Sequence, residues 1–114
     1  MHSIYYHHKI QRTIHQIETD LHATIEPEIN AGIIIHIAFL VNNLLNGEKS
    51  RQFKDLEKFS KKNRLDMDIL RTNFMSIEKN YQISIPEDEI AFLVQMIQEN
   101  RLDNQLENAK NHSV

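Results

Sequence analysis

Ile10, Ile14, Ile17 and Leu21 recur at intervals of four, three and four residues, the spacing of one stripe on an amphipathic helix, and predict a helix over about residues 3–23. Glu26-Pro27-Glu28 predicts the start of a second helix, over about 28–46. Proline is harmless there because the first N–H of a helix is unpaired anyway, and acids suit the positive end. From Ile29 to Leu45 this helix is apolar nearly all round, which predicts a central helix covered by others. Asn46-Gly47 predicts its end, glycine being the usual left-handed stop.

Phe53, Leu56 and Phe59 predict a short third helix over about 50–62, and Leu70, Phe74, Ile77 and Tyr81 a fourth over about 65–81. Ser84-Ile85-Pro86-Glu87 reads as a capping box, with serine at the cap and glutamate three residues on. Ile90, Leu93, Val94 and Ile97 then form the apolar face of a fifth helix, over about 86–100. Residues 81–85 alternate like a strand but have no partner strand, and are read as a connector. Residues 101–114 are polar and predicted to fray. No internal repeat stands out. The expected fold class is all-α: one domain over residues 1–100, built as a compact five-helix bundle, followed by the 101–114 tail.

Composition narrows the class. A chain of 114 residues, 40% hydrophobic and 25% charged, is an ordinary globular domain, and two glycines with two prolines leave few turns for a many-stranded sheet. No cysteine is present, which removes disulfides and thiolate chemistry and suits a cytoplasmic setting. The net charge of −3 gives no overall nucleic-acid footprint. The N-terminal residues read as no signal peptide, and the apolar run over 31–41, broken by Asn42 and Asn43, reads as too short to span a bilayer.

Within that run stands His36, among isoleucines. Burying an imidazole there costs free energy unless it finds a partner or keeps a path to solvent. A neutral imidazole also offers a nucleophilic ring nitrogen near pH 7. A lone histidine in an apolar helix is more often a core residue than a working group. His8, His15 and His22 repeat every seven residues, about 10 Å apart along a helix, too far to share a metal. His15 and Glu18 are the nearest approach to a ligand pair and lack a third member. From Glu48 to Arg64 seven basic residues face three acidic ones, a patch for phosphate or an acidic protein, or simply a solvated face. No phosphate-cradling glycine loop, paired-carboxylate site or nucleophile–base arrangement is evident.

Two segments resemble a known family. Ile33-Ile-Ile-His36-Ile-Ala-Phe-Leu-Val-Asn-Asn-Leu-Leu45 resembles the histidine-bearing helix of the PTS regulation domain, or PRD, of bacterial antiterminators and sugar-operon activators. Ile85-Pro-Glu-Asp-Glu-Ile-Ala-Phe92, preceded by Ile77-Glu-Lys-Asn-Tyr81, resembles the motif that introduces a later helix of the same family. The likeness covers roughly residues 10–100. The chain departs from the antiterminator pattern at Ile35, where aspartate is common, and at Met96, where a second histidine is common. It looks closer to the one-histidine domains of large activators, although Asn42-Asn43 stand where those usually have Glu-Arg.

The resemblance implies regulation of transcription rather than catalysis. His36 is the implied phosphoryl acceptor, and the implied partner is the phosphocarrier protein or a sugar-specific component of the phosphotransferase system. No metal, cofactor, membrane or direct nucleic-acid contact is implied for this domain. The alternative is a helical interaction module that has lost phosphoacceptance. Homodimerisation is expected from the surplus of apolar residues on the second helix, where Ile34, Ala38, Val41 and Leu45 lie away from the Ile29-Ile33-Ile37-Leu40-Leu44 stripe.

Overall fold

Ile10, Ile14 and Ile17 are all buried, as their stripe requires, on the first of five helices. The computed structural model describes the backbone of residues 2–112 and the side chains of residues 8–100. The elements are α1 (His2–Leu21), α2 (Pro27–Leu45), α3 (Leu56–Lys62), α4 (Arg64–Tyr81) and α5 (Glu87–His112), with no strand among the described residues. The all-α bundle is thus confirmed. The expectation of a frayed tail falls on residues whose side chains lie outside those described.

One apolar core joins the helices. Ile33, Ile37, Met67, Leu70, Phe74, Ile77, Ile90, Leu93 and Ile97 are buried with the α1 stripe. Each large apolar side chain stabilises the fold by about 1.5–3 kcal/mol when fully withdrawn from water. The closest backbone packing is α1 against α4 and α2, and α4 against α5, with α3 against α5 and α4. α2 is not the all-covered central helix its composition suggests. Ile33, Ile37, Leu40 and Val41 face the core, whereas Ile35 is 55% and Phe39 65% exposed. Val41, expected on the outer face, is fully buried, and Ile34 and Ala38 pack against the core. The uncovered stripe is therefore Ile35 and Phe39, with Leu45 beyond them. α2 is also longer than the 31–41 run implied, and by length and composition alone could cross a bilayer. Core helices of soluble proteins pass the same test.

Three local features differ from the sequence pattern. α3 starts at Leu56 rather than near 50, because Asp55 is left-handed (φ 58°) and the Phe53 N–H is bonded to Asp88 instead of a helical carbonyl. Ser84 caps nothing. The first helical carbonyl of α5 is that of Pro86, which accepts from the N–H groups of Glu89 and Ile90. Third, a repeat is present after all. His22 and Gln82, both at φ 54°, end α1 and α4 in left-handed conformation. The Ala23 N–H then donates to the Glu18 carbonyl and the Ile83 N–H to the Glu78 carbonyl, closing equivalent turns. The carboxylates of the same two glutamates accept from the N–H groups of Ile25 (2.7 Å) and Ile85 (2.8 Å).

Key residues of the first unit have counterparts 60 positions on: Glu18 and Glu78, Ile25 and Ile85, and the buried pairs Ile10 and Leu70, Ile14 and Phe74, Ile17 and Ile77, Ile33 and Leu93, Ile37 and Ile97. α1–α2 and α4–α5 are two copies of one helix–connector–helix unit. α3 and its flanking loop are the insertion between them.

The two carboxylate clasps make a direct test. Glu18→Ala and Glu78→Ala should each cost about 1–3 kcal/mol, the price of a buried N–H left without its charged acceptor. The double variant should lose close to the sum, because the sites share no partner. Urea unfolding followed by far-ultraviolet circular dichroism measures both. Asp20 gives a second test. Hydrogen bonds from Asn73 of α4 and from Gln16 hold its carboxyl below the ordinary 3.8, with nearby His22 a smaller influence and burial opposing. A depressed folded-state pKa stabilises the fold above the ordinary value, and that contribution is lost as pH falls through the folded-state pKa. Asn73→Ala should move the Asp20 carboxyl back toward 3.8, as read by its side-chain carbon shift in an NMR titration.

Candidate functional site

Three acidic residues open α5, Glu87, Asp88 and Glu89, and the positive end of the helix favours all of them. Each reaches a different part of the molecule. Glu87 pairs with Arg71 of α4 at 2.6 Å. Asp88 accepts the Phe53 N–H at 2.7 Å, tying the loop between α2 and α3 to α5. The Glu89 side chain, only 4% exposed, takes the guanidinium of Arg51 from that same loop: Arg51 Nε lies 3.5 Å from Oε1 and Nη2 3.3 Å from Oε2. A buried carboxylate without a cation is costly, so the loop is drawn in to supply one.

His36 lies beside this pair. Its Nε2 is 3.3 Å from Arg51 Nη2 and 3.6 Å from Glu89 Oε2. A guanidinium only donates, so the contact with Arg51 is a hydrogen bond when Nε2 carries the lone pair. The 3.6 Å approach to Glu89 is too long for a hydrogen bond. The ring is 27% exposed and lines an open pocket of about 240 Å³ with Phe39, Asn43, Lys49, Ser50 and Arg51 among its walls. It is neither sealed in the core nor free in solvent. Arg51 is further steadied by the Phe92 ring, 4.1 Å from the guanidinium carbon to the centroid.

The sequence-predicted residue His36 is thus in a site, but its main partners came from elsewhere. Arg51 appeared in the sequence only as one charge of the 48–64 segment, and Glu89 only as part of a helix-opening motif. Of the two asparagines standing where relatives have Glu-Arg, Asn43 lines the pocket and Asn42 is exposed. The cation beside His36 is Arg51. The other histidines gather no such set. His15 and Glu18 approach to 4.0 Å with no third ligand among the described residues, His8 and His22 are exposed, and the side chains of His2, His7 and His112 lie outside those described. His36 has its counterpart 60 residues on at Met96, partly buried against the core, so the second copy of the unit carries no equivalent imidazole.

No curated protein and no solved structure matches the chain. The family model for the PRD domain matches residues 11–100, which takes in both copies of the repeated unit, the intervening loop with Arg51, and the α5 motif with Glu89. On that match, together with its five-helix fold, the chain belongs to the PRD domain family of regulatory domains.

Proposed function

We propose that this domain is the phosphorylation-responsive part of a sugar-regulated transcription regulator and that His36 is its phosphoryl acceptor. The observation that carries the proposal is the partly exposed His36 ring at an open pocket, with the Arg51 guanidinium 3.3 Å from its Nε2. In the transfer, Arg51 turns from Nε2 to the incoming phosphoryl group, and the freed Nε2 lone pair attacks the phosphorus of a phosphohistidine on the phosphocarrier or a sugar-specific component. The N–P bond to the donor ring breaks as the new one forms, and a proton passes from the His36 ring to the donor ring. Arg51 offers two or more N–H groups to the phosphoryl oxygens, the role the missing arginine of helix α2 would have had.

The product carries close to two negative charges and stands beside the buried carboxylate of Glu89. Two such anions repel, and both compete for Arg51. Capture of Arg51 by the phosphoryl group takes it from Glu89 and loosens the α2–α3 loop, which converts one charge change into a change of packing. Phe39 lines the same pocket and is continuous with exposed Ile35, so a second copy docked on this stripe would border His36. The proposed association is a homodimer through α2, in the cytoplasm, with no part in catalysis.

Incubation with a phosphorylated phosphocarrier, read by intact mass, should add one phosphoryl group to the chain and none to a His36→Ala variant. Arg51→Ala should slow the transfer about tenfold or more, the worth of one charge-assisted hydrogen bond. Label of equal extent in His36→Ala sinks the acceptor role. Absence of label in the unaltered chain favours the alternative, an interaction module that kept the fold without phosphoacceptance. Light scattering at high micromolar concentration should give a dimer mass, and Phe39→Glu should return it to a monomer without unfolding it, since Phe39 is exposed.

A further inference from the structure

A second pocket, of about 370 Å³, lies between α3 and α5 and has no part in the chemistry of His36. Its apolar part is made by Phe53, Phe59 and Phe92, half-buried and packed on one another: Phe53 and Phe59 have centroids 4.6 Å apart at 53°, Phe53 and Phe92 4.9 Å apart at 67°. Its rim holds Lys54, Lys58 and Lys62, at successive four-residue steps, against a single acid, Asp55. Among the described residues none of the three lysines has a carboxylate within ion-pair distance, whereas Lys61, off the pocket, is paired with Glu57 at 3.2 Å.

We propose that this pocket binds an acidic peptide segment of a partner protein, one large apolar side chain seated among the three rings and carboxylates on either side meeting the lysines. The charge pattern commits it to an anion. Lys58 and Lys62 are one turn apart on α3, about 6 Å along its axis, and Lys54 precedes the helix, so the three charges are spread around the apolar floor and match several carboxylates along a peptide rather than one small anion. The rings point to insertion rather than base stacking. Phe53 is packed against both neighbours and the tilted arrangement leaves edges and gaps, not an open parallel face of the kind that single-stranded nucleic acid stacks on. The volume lies in the range that encloses one anchor side chain with its backbone.

The sequence carried a trace of this site in its basic 48–64 segment, but only the fold brings Phe92 from α5 to complete the apolar floor. Phe92 is also the ring under Arg51, which lines the His36 pocket, so the two pockets touch through that contact. The peptide site nevertheless stands independently of phosphoacceptance, and His36→Ala should bind as well as the unaltered chain.

The test uses the full chain and a fluorescein-labelled peptide with a central phenylalanine flanked on each side by glutamate and aspartate, titrated by anisotropy. Saturable binding is expected, weakening with salt. Replacing the peptide phenylalanine by alanine should lower affinity about tenfold or more, as loss of a buried anchor does. Lys58→Glu with Lys62→Glu should do the same, and both positions are exposed, so the fold is retained. Phe59→Leu, which keeps an apolar side chain, should bind more weakly than the unaltered chain and more strongly than the charge-reversed variant. Equal affinity for the alanine peptide, indifference to the charge reversal, no saturation by about 1 mM, or tighter binding of an oligouridine than of the peptide would each overturn the proposal.

Discussion

Much of this molecule is arranged around the need to neutralise one buried carboxylate. Glu89 enters the interior because it follows Pro86 by three residues on a helix whose next residues, Ile90, Ala91, Leu93 and Val94, must be buried. The helix end favours its charge but gives it no cation. Arg51 does, from a loop 38 residues earlier in the chain, and the Asp88 carboxylate fixes that loop through the Phe53 N–H. Once Arg51 lies across Glu89, it also meets the imidazole of His36. The family's two sequence signatures, the histidine in its apolar helix and the Pro-Glu-Asp-Glu-Ile-Ala element, thus meet at one point.

The repeated unit explains why the bundle can be built with so little turn chemistry. Only two glycines are present, yet both connectors reverse the chain after a left-handed residue that is not glycine. A non-glycine residue there carries a local cost. The clasp from Glu18 or Glu78 offsets it by satisfying the buried N–H two residues into the next segment. The insertion between the two copies is where they cease to be alike. It carries Arg51 and the aromatic and lysine residues around α3, and both the His36 pocket and the phenylalanine pocket are partly lined by it. His36 in the first copy and Met96 in the second show the same asymmetry in one residue.

α2 resolves an apparent contradiction in its own composition. A helix this apolar looks as though it must be enclosed. The core accepts only one face, and Ile35 and Phe39 are left at the surface next to the His36 pocket. His36 stands between a buried face and an exposed apolar one, so the proposed phosphorylation would act on both the internal packing and anything that covers the outer stripe.

The local signals of this sequence were sufficient for the architecture. Helical periodicity through Ile10, Leu70 and Ile90, the stop at Gly47 (φ 74°) and the start at Pro27 depend on residues within a few positions of one another, and such interactions are legible in a linear string. The resemblance carried by His36 and by residues 85–92 likewise came from contiguous motifs. What depended on contacts between distant segments was not legible. The 60-residue repeat was hidden because most of its positions share burial rather than identity, as Ile14 answers to Phe74 and Ile33 to Leu93, and the identical pairs such as Glu18 and Glu78 are scattered among unlike residues. The exposed face of α2 depended on which neighbours cover it, and neither periodicity nor hydropathy reports that. Arg51 looked like one surface charge among seven, because a cation is drawn to a carboxylate by the cost of burying that carboxylate, and Glu89 is buried only once α5 is in place.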